Sequence, residues 1–307
     1  MYILYLASGL LMLYFGADWL VMSASSIANR FHLPPLLIGL TVVAFGTSTP
    51  ELLVSLHTAI TGMSAVSVGN VVGSNMFNIA VILGISAIIY PLKTDIKLIR
   101  IDVPVMILSS GLFYLFFLDN YLSRFEGICL FGLLIIYIVF SYRMGARDHS
   151  GSNYTEPIPA LNHVFVELLV IIAGLVALAI GANLFVKGAV KLATLLGWSQ
   201  TIIGITIVAA GTSLPELATS IVAAVHKKAD IAIGNVVGSN IFNILAVLGL
   251  SASIHPMRVA DFPHYDIWVM LFISLLLLPF VRTRFQLQRW EGVVLLSGYL
   301  LYLVFIL

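Results

Sequence analysis

Residues 46–91 read GTSTPELLVSLHTAITGMSAVSVGNVVGSNMFNIAVILGISAIIYP, and residues 211–256 read GTSLPELATSIVAAVHKKADIAIGNVVGSNIFNILAVLGLSASIHP. The two align without a gap at a constant offset of 165 and share 24 of 46 residues. Pairs outside this core keep the same offset: Gly16/Gly181, Gly39/Gly204, Glu126/Glu291 and Gly127/Gly292. A period of half the chain describes a duplicated bundle, because a solenoid repeats every 20–50 residues or so.

The composition places both halves in a bilayer. Hydrophobic residues make up 60% of the chain and charged residues 9%, with a mean hydropathy of +1.07; a soluble domain carries roughly 25% charged residues. A net charge of +1 gives no footprint for a nucleic-acid partner. The lone Cys129 excludes an intrachain disulfide and a Cys-based metal site. No Lys or Arg precedes the first apolar run, so it lacks the basic start of a cleavable signal and is expected to stay as a membrane helix.

The apolar pattern predicts ten membrane helices, at 2–28, 35–60, 65–89, 101–118, 125–142, 164–186, 200–224, 229–253, 266–281 and 290–306. The expected organisation is a first five-helix repeat (1–142), a short linker (143–163) and a second five-helix repeat (164–307). Five is odd, so the second repeat enters the membrane from the opposite side, as in many secondary transporters. The fold class is therefore an all-α integral membrane protein of two inverted repeats, with discontinuous second and seventh helices at its centre. Loop charge orients it. One side holds Arg30, Lys93, Lys97, Arg100, Arg143, Arg147, Lys227, Lys228, Arg282, Arg284 and Arg289; the other holds Arg124, Lys187, Lys191 and Arg258. The richer side, linker included, is expected to be cytoplasmic, with both termini outside the cell membrane.

Glu51 and Glu216 lie inside otherwise apolar helices, where a carboxylate costs a few kcal/mol on the most lenient scales. No Lys, Arg or His lies between Leu33 and Leu56, or between Leu192 and Val225, so neither acid has a basic partner nearby in sequence. Two such acids on inverted helices would meet near the twofold axis, where a bound cation neutralises both. Pro50 and Pro215 precede them; each lacks an N–H and displaces the carbonyl four residues back, at Gly46 and Gly211, so both helices are expected to kink. Freed carbonyls survive in a membrane only inside protein or along a cavity. Thr47 and Ser48 share the helix face of Glu51, as Thr212 and Ser213 share that of Glu216. In the next helix of each half, Asn70, Ser74 and Asn78, and Asn235, Ser239 and Asn243, form polar stripes at a spacing of four. The pairs Gly69/Gly73 and Gly234/Gly238 allow close backbone approach. A donor set of carboxylate, hydroxyl, amide and carbonyl oxygens suits Ca²⁺, Mg²⁺, Mn²⁺ or Na⁺ and disfavours zinc or copper.

These doubled GTS(L)PE and GNVVGSN(I)FN motifs resemble the alpha repeats of the cation/Ca²⁺ exchanger superfamily, in particular its prokaryotic sodium/calcium exchanger branch, over essentially the whole chain. The resemblance implies a central site built by the second, third, seventh and eighth helices, with alternating access driven by sliding of the first and sixth. It implies Glu51 and Glu216 as principal Ca²⁺ ligands. Thr47, Ser48, Thr212, Ser213, Ser74, Ser239 and the carbonyls of Ala44 and Ala209 are implied as Na⁺ and Ca²⁺ ligands, and Asn78 as a central polar residue. Asn243 departs from the Asp of some members, which weakens the case for K⁺ co-transport. Thr49 replaces the usual Leu.

The function expected is antiport of Ca²⁺ against Na⁺ across the bilayer, with both ions as cargo, no resident cofactor and a single copy compatible with activity. Emptying the site would leave two carboxylates facing each other in low dielectric, so one cation leaves only as others replace it. One Ca²⁺ on two carboxylates is neutral; the family's usual three Na⁺ would leave +1, so membrane potential contributes about 2.3 kcal/mol per charge per 100 mV. Protonating glutamates would make a Ca²⁺/H⁺ exchanger instead, and a cation channel would need a continuous pore. A hydrolase has no support: HExxH is missing and no His lies in register with the GTS serines. Structural roles are expected elsewhere: a helix-packing hydrogen bond for Asp18, whose counterpart is Asn183; capping or interfacial roles at helix starts for Glu126, Glu291 and Glu167; inert interfacial positions for His57 and His226.

Overall fold

The structure is a computed structural model that describes residues 2–147, 163–198, 207, 209–259 and 262–306. Its helices are α1 (Tyr2–Arg30), α2 (Pro35–Thr47), α3 (Thr49–Ile60), α4 (Ser64–Ile89), α5 (Leu98–Phe116), α6 (Arg124–Met144), α7 (Val164–Leu195), α8 (Leu214–Val225), α9 (Ala229–Ile254), α10 (His264–Phe285) and α11 (Arg289–Ile306). Among the described residues, eight are long and apolar enough to cross a membrane, and α2 with α3 makes a further span bent by 46°. The bend falls at Ser48, just before Pro50, where the pattern predicts it. The predicted helix 200–224 is seen from Ala209 onward, as a turn at Ala209–Gly211 and then α8; residues 199–206 and 208 lie outside the described residues, as do 148–162 of the predicted linker.

Among the described residues, four two-residue strands that the apolar pattern does not announce tie helix ends together: β1 (Leu92–Lys93), β2 (Tyr121–Leu122), β3 (Met257–Arg258) and β4 (Gln286–Leu287). β1 pairs with β4 and β2 with β3, both antiparallel. Moved by the repeat offset, β1 becomes β3 and β2 becomes β4, so each pair is the image of the other.

The same reciprocity shows the inversion. α1 and α7 are repeat equivalents, and they pack along their lengths in opposite directions. Gly188 meets Tyr2 and Leu6, Gly181 meets Gly9 and Leu13, and Gly174 meets Gly16 and Leu20. Gly9 and Gly16 are the images of Gly174 and Gly181, so the contact Gly9–Gly181 maps onto Gly174–Gly16. Equivalent helices that run antiparallel and exchange contacts are related by a dyad perpendicular to their axes. That dyad passes between Asn75 and its own image Asn240, each of which donates Nδ2 to the other's main-chain carbonyl, at 3.3 and 3.4 Å.

The α1–α7 seam depends on glycine. A Cβ on Gly16 would lie 2.8 Å from the Gly174 carbonyl oxygen, and one on Gly174 would lie 2.8 Å from that of Gly16. One end of the seam is closed by an ion pair: Glu167, fully buried, accepts from Arg30 Nε (3.1 Å), Arg30 Nη2 (3.2 Å) and Ser26 Oγ (2.5 Å). Glu167 stands in the first turn of α7, as expected, but instead of capping that helix it joins it to α1. Glu126 and Glu291 do cap their helices, accepting from the main-chain N–H of Ser123 (2.8 Å) and Gln288 (2.7 Å).

The most enclosed elements carry the motif stretches. The apolar window of α9 is 100% buried and that of α4 72%, against 28% for α1, α6 and α7 and 17% for α11. The outer helices turn residues such as Phe125, Leu108 and Phe305 outward, where lipid is the natural solvent. α9 lies close against α2 because Gly238 leaves room; a Cβ there would sit 2.6 Å from the Leu40 carbonyl oxygen.

Candidate cation-binding site

Both helix breaks have the same geometry. Ser48 (φ −82°, ψ 4°) and Ser213 (φ −86°, ψ 6°) leave the helical region one residue before α3 and α8 begin. Each stands at the N-cap position, yet neither side chain caps its own helix. The hydroxyls cross the dyad instead: Ser48 Oγ donates to Glu216 Oε1 at 2.8 Å, and Ser213 Oγ donates to Glu51 Oε1 at 3.1 Å. Glu51 and Glu216 occupy the first turns of α3 and α8, whose N-terminal dipoles favour negative charge. Both are fully buried and lie within electrostatic reach of one another. Among the described residues neither forms an ion pair, in contrast to Glu167, which meets Arg30.

A second layer holds the threonines. Thr47 Oγ1 donates to Asn235 Oδ1 (3.1 Å), and Asn235 Nδ2 donates to Ser220 Oγ (3.0 Å). Across the dyad, Thr212 Oγ1 donates to Asn70 Oδ1 (3.4 Å), and Asn70 Nδ2 to Ser55 Oγ (3.0 Å). The Ser74 and Ser213 hydroxyl oxygens lie 3.2 Å apart, whereas Ser239 Oγ has no partner. Asn78 Nδ2 donates to Asn240 Oδ1 (3.1 Å) and Asn243 Nδ2 to Asn75 Oδ1 (3.0 Å). Both of these asparagines open π-helical turns, Asn78–Leu83 and Asn243–Leu248, a widening that often marks functional sites. The Ala44 carbonyl takes the Ser48 N–H at 3.0 Å, and the Thr47 hydroxyl oxygen lies 3.4 Å from it. Ala209 begins the turn before the second break. Thr49 donates its hydroxyl to the Phe45 carbonyl at 2.9 Å, beside the first bend.

What this network leaves unpaired defines its chemistry. Glu51 Oε2, Glu216 Oε2, Ser239 Oγ, Asn78 Oδ1 and Asn243 Oδ1 are buried without a hydrogen-bond partner. Four of these are acceptors only, and a buried carboxylate oxygen without a donor is among the costliest groups to leave unmatched. Buried oxygen acceptors left without a hydrogen-bond partner suit a hard cation. No group of three or more His, Cys, Asp or Glu occurs among the described residues, so the charge available is that of two carboxylates. A pocket of about 690 Å³ between α3, α7 and α8 reaches Thr47 and Thr212 from one side.

Ser55, Ser220, Asn75 and Asn240 belong to this network and are absent from the sequence-derived set. Ser55 and Ser220 lie four residues after Glu51 and Glu216 on the same helix faces, so that spacing was the available signal; Asn75 and Asn240 fall off the spacing of four, and only their identity within the repeat marks them.

Inverted halves, a polar centre at the breaks before α3 and α8 and an apolar exterior define a multi-pass membrane transport protein. The sequence profile of the sodium/calcium exchanger protein family matches residues 1–143 and 166–307. The sodium/calcium exchanger MaX1 of Methanosarcina acetivorans is 36% identical, covering 98% of this chain and 97% of the relative. Inner membrane protein YrbG of Escherichia coli is 36% identical over 96% of this chain and 93% of the relative. The sodium-calcium exchanger NCX_Mj, soaked with zero Na⁺ and Ca²⁺, superposes with a TM-score of 0.87 at 34% identity, covering 99% and 98% of the two chains. The chain belongs to the sodium/calcium exchanger family.

Proposed function

We propose that this protein is an antiporter that exchanges Ca²⁺ for Na⁺ across the cell membrane through one shared site that faces the two sides in turn. The observation that carries the reading is the pair of buried glutamates, each linked to the opposite helix break and each left with an unpaired oxygen. Glu51 and Glu216 hold Ca²⁺ between them. Ser48, Ser213, Ser74 and Ser239 turn their oxygens to the ion, and Thr47, Thr212, Asn78, Asn243 and the Ala44 and Ala209 carbonyls complete the Na⁺ and Ca²⁺ positions. Relatives named as sodium/calcium exchangers, and the NCX_Mj structures soaked with Na⁺ and Sr²⁺, support this choice of ions.

α1 and α7 move as one body. The glycine seam and the Glu167–Arg30 pair join them to each other, while the pocket parts α7 from α3. Sliding of that pair across α2, α3 and α8 would close one access and open the other. The empty site crosses poorly because two uncompensated carboxylates would be buried with it. Ion count sets the electrical behaviour: three Na⁺ on two carboxylates leave one positive charge to cross the potential. The linker side is cytoplasmic in this scheme.

The test is ⁴⁵Ca²⁺ uptake into proteoliposomes under imposed Na⁺, K⁺ or H⁺ gradients. An outward Na⁺ gradient alone is expected to drive accumulation. Accumulation driven by a pH gradient in Na⁺-free medium would replace this reading with Ca²⁺/H⁺ exchange, and flux without counterflow would replace it with a channel.

A further inference from the structure

The repeats are related by a dyad, but the space around α1 and α7 does not obey it. On one side the pocket of about 690 Å³ parts α7 from α3, and Asn183 and Lys187 of α7 line it. The image of that space lies between α1 and α8, and it is filled. α1 packs along α8, and Asp18 Oδ1 lies 2.8 Å from His226 Nε2. The helix-packing bond expected of Asp18 is therefore present, while His226 is bonded and not inert. The offset of 165 makes Asp18 the image of Asn183 and Met22 the image of Lys187. At these two positions the open pocket meets Asn and Lys, and its image would meet Asp and Met.

We propose that Asp18 and Lys187 give the two ion entrances opposite charge, and that His226 covers Asp18 while its entrance is closed. The inference rests on the alternating-access reading above. When α1 leaves α8, the Asp18–His226 contact breaks and Asp18 takes the place that Asn183 occupies here, lining an entrance on the opposite face. A carboxylate there concentrates cations, and Lys187 at the other entrance repels them. Each effect scales with ionic charge, so it acts twice as strongly on Ca²⁺ as on Na⁺. Ca²⁺ therefore loads more readily through the Asp18 entrance, and Na⁺ competes best through the Lys187 entrance. The gradients alone still set the equilibrium; the asymmetry lies in the apparent affinities.

The experiment measures the KM for Ca²⁺ separately at each face, by ⁴⁵Ca²⁺ exchange in vesicles sorted by protein orientation. Asp18→Asn is expected to raise KM about two- to fivefold at the face away from the pocket, the size of a unit charge acting on a divalent ion across roughly a nanometre of water. Its KM at the pocket face stays within error of wild type, which also reports correct folding. Lys187→Met, at an exposed position, is expected to lower KM at the pocket face only, and it carries the test if Asp18→Asn fails to fold. In a Cys129→Ser background, His226→Ala should speed labelling of Met22→Cys by an impermeant maleimide, since the cover is gone. Shifts that are equal at both faces, or no shift in either charge variant, would overturn the proposal. Loss of Na⁺-driven exchange in the wild type itself would instead overturn the transport reading on which it stands.

Discussion

Replacing Glu167 by alanine tests whether α1 and α7 form one moving body. The carboxylate is fully buried and takes three hydrogen bonds from α1, while the Arg30 side chain is 28% exposed. Breaking a fully buried pair costs roughly 3–5 kcal/mol and an exposed one under about 1 kcal/mol. With one partner buried and the other partly solvated, about 2 kcal/mol is the reasonable middle. At 1.4 kcal/mol per factor of ten, that is roughly a 30-fold rise in local opening. Hydrogen–deuterium exchange of the protein in nanodiscs reads it directly. Amides at the end of α1 (26–30) and the start of α7 (164–168) should lose protection together, and the exchange rate of ⁴⁵Ca²⁺ should fall because the two helices no longer travel in step. Faster exchange confined to 164–168, or none at all, would show that the pair does not join the helices.

Ser48→Ala and Ser213→Ala remove image-related hydroxyls, each hydrogen-bonded to a carboxylate, an interaction of about 1.5–3 kcal/mol. Both should raise the KM for Ca²⁺ by roughly one to two orders of magnitude, and a wild-type KM in either would show that the hydroxyls stay outside the ion's shell. Gly16→Ala places a Cβ 2.8 Å from the Gly174 carbonyl oxygen, an overpacking cost of about 1–3 kcal/mol. Its melting temperature in detergent should drop, and an unchanged one would show that the seam tolerates a methyl group there. Pro50→Ala restores the N–H missing at the first break; it should straighten the 46° bend and slow Ca²⁺ exchange, and full activity would show that the bend does not depend on proline.

The repeat carries most of what can be read from the chain alone. A gapless offset over an odd number of apolar runs implies inversion, and prolines placed before lone glutamates locate the breaks and the acids. Contacts between the halves follow no periodicity, so the crossing of Ser48 to Glu216 and of Ser213 to Glu51 is invisible until the two halves are folded together. The same applies to Glu167 and Arg30, which lie 137 positions apart, and to Asp18 and His226. Asn75 and Asn240 look like the other asparagines of the motif; only their place on the dyad sets them apart. The π turns at Asn78 and Asn243 arise from one extra residue within an unbroken helix, which leaves the apolar pattern unaltered. The short strands pair two residues at a time, fewer than alternation needs to register.

Equilibrium binding of ⁴⁵Ca²⁺ to the purified protein, titrated with Na⁺, puts the shared site to the most direct test. In the wild type, Na⁺ should displace Ca²⁺ competitively with a Hill slope above one, and Glu51→Gln and Glu216→Gln should each abolish Ca²⁺ binding while the protein stays folded. Ca²⁺ held by either variant, or Ca²⁺ that Na⁺ cannot displace from the wild type, would contradict the account.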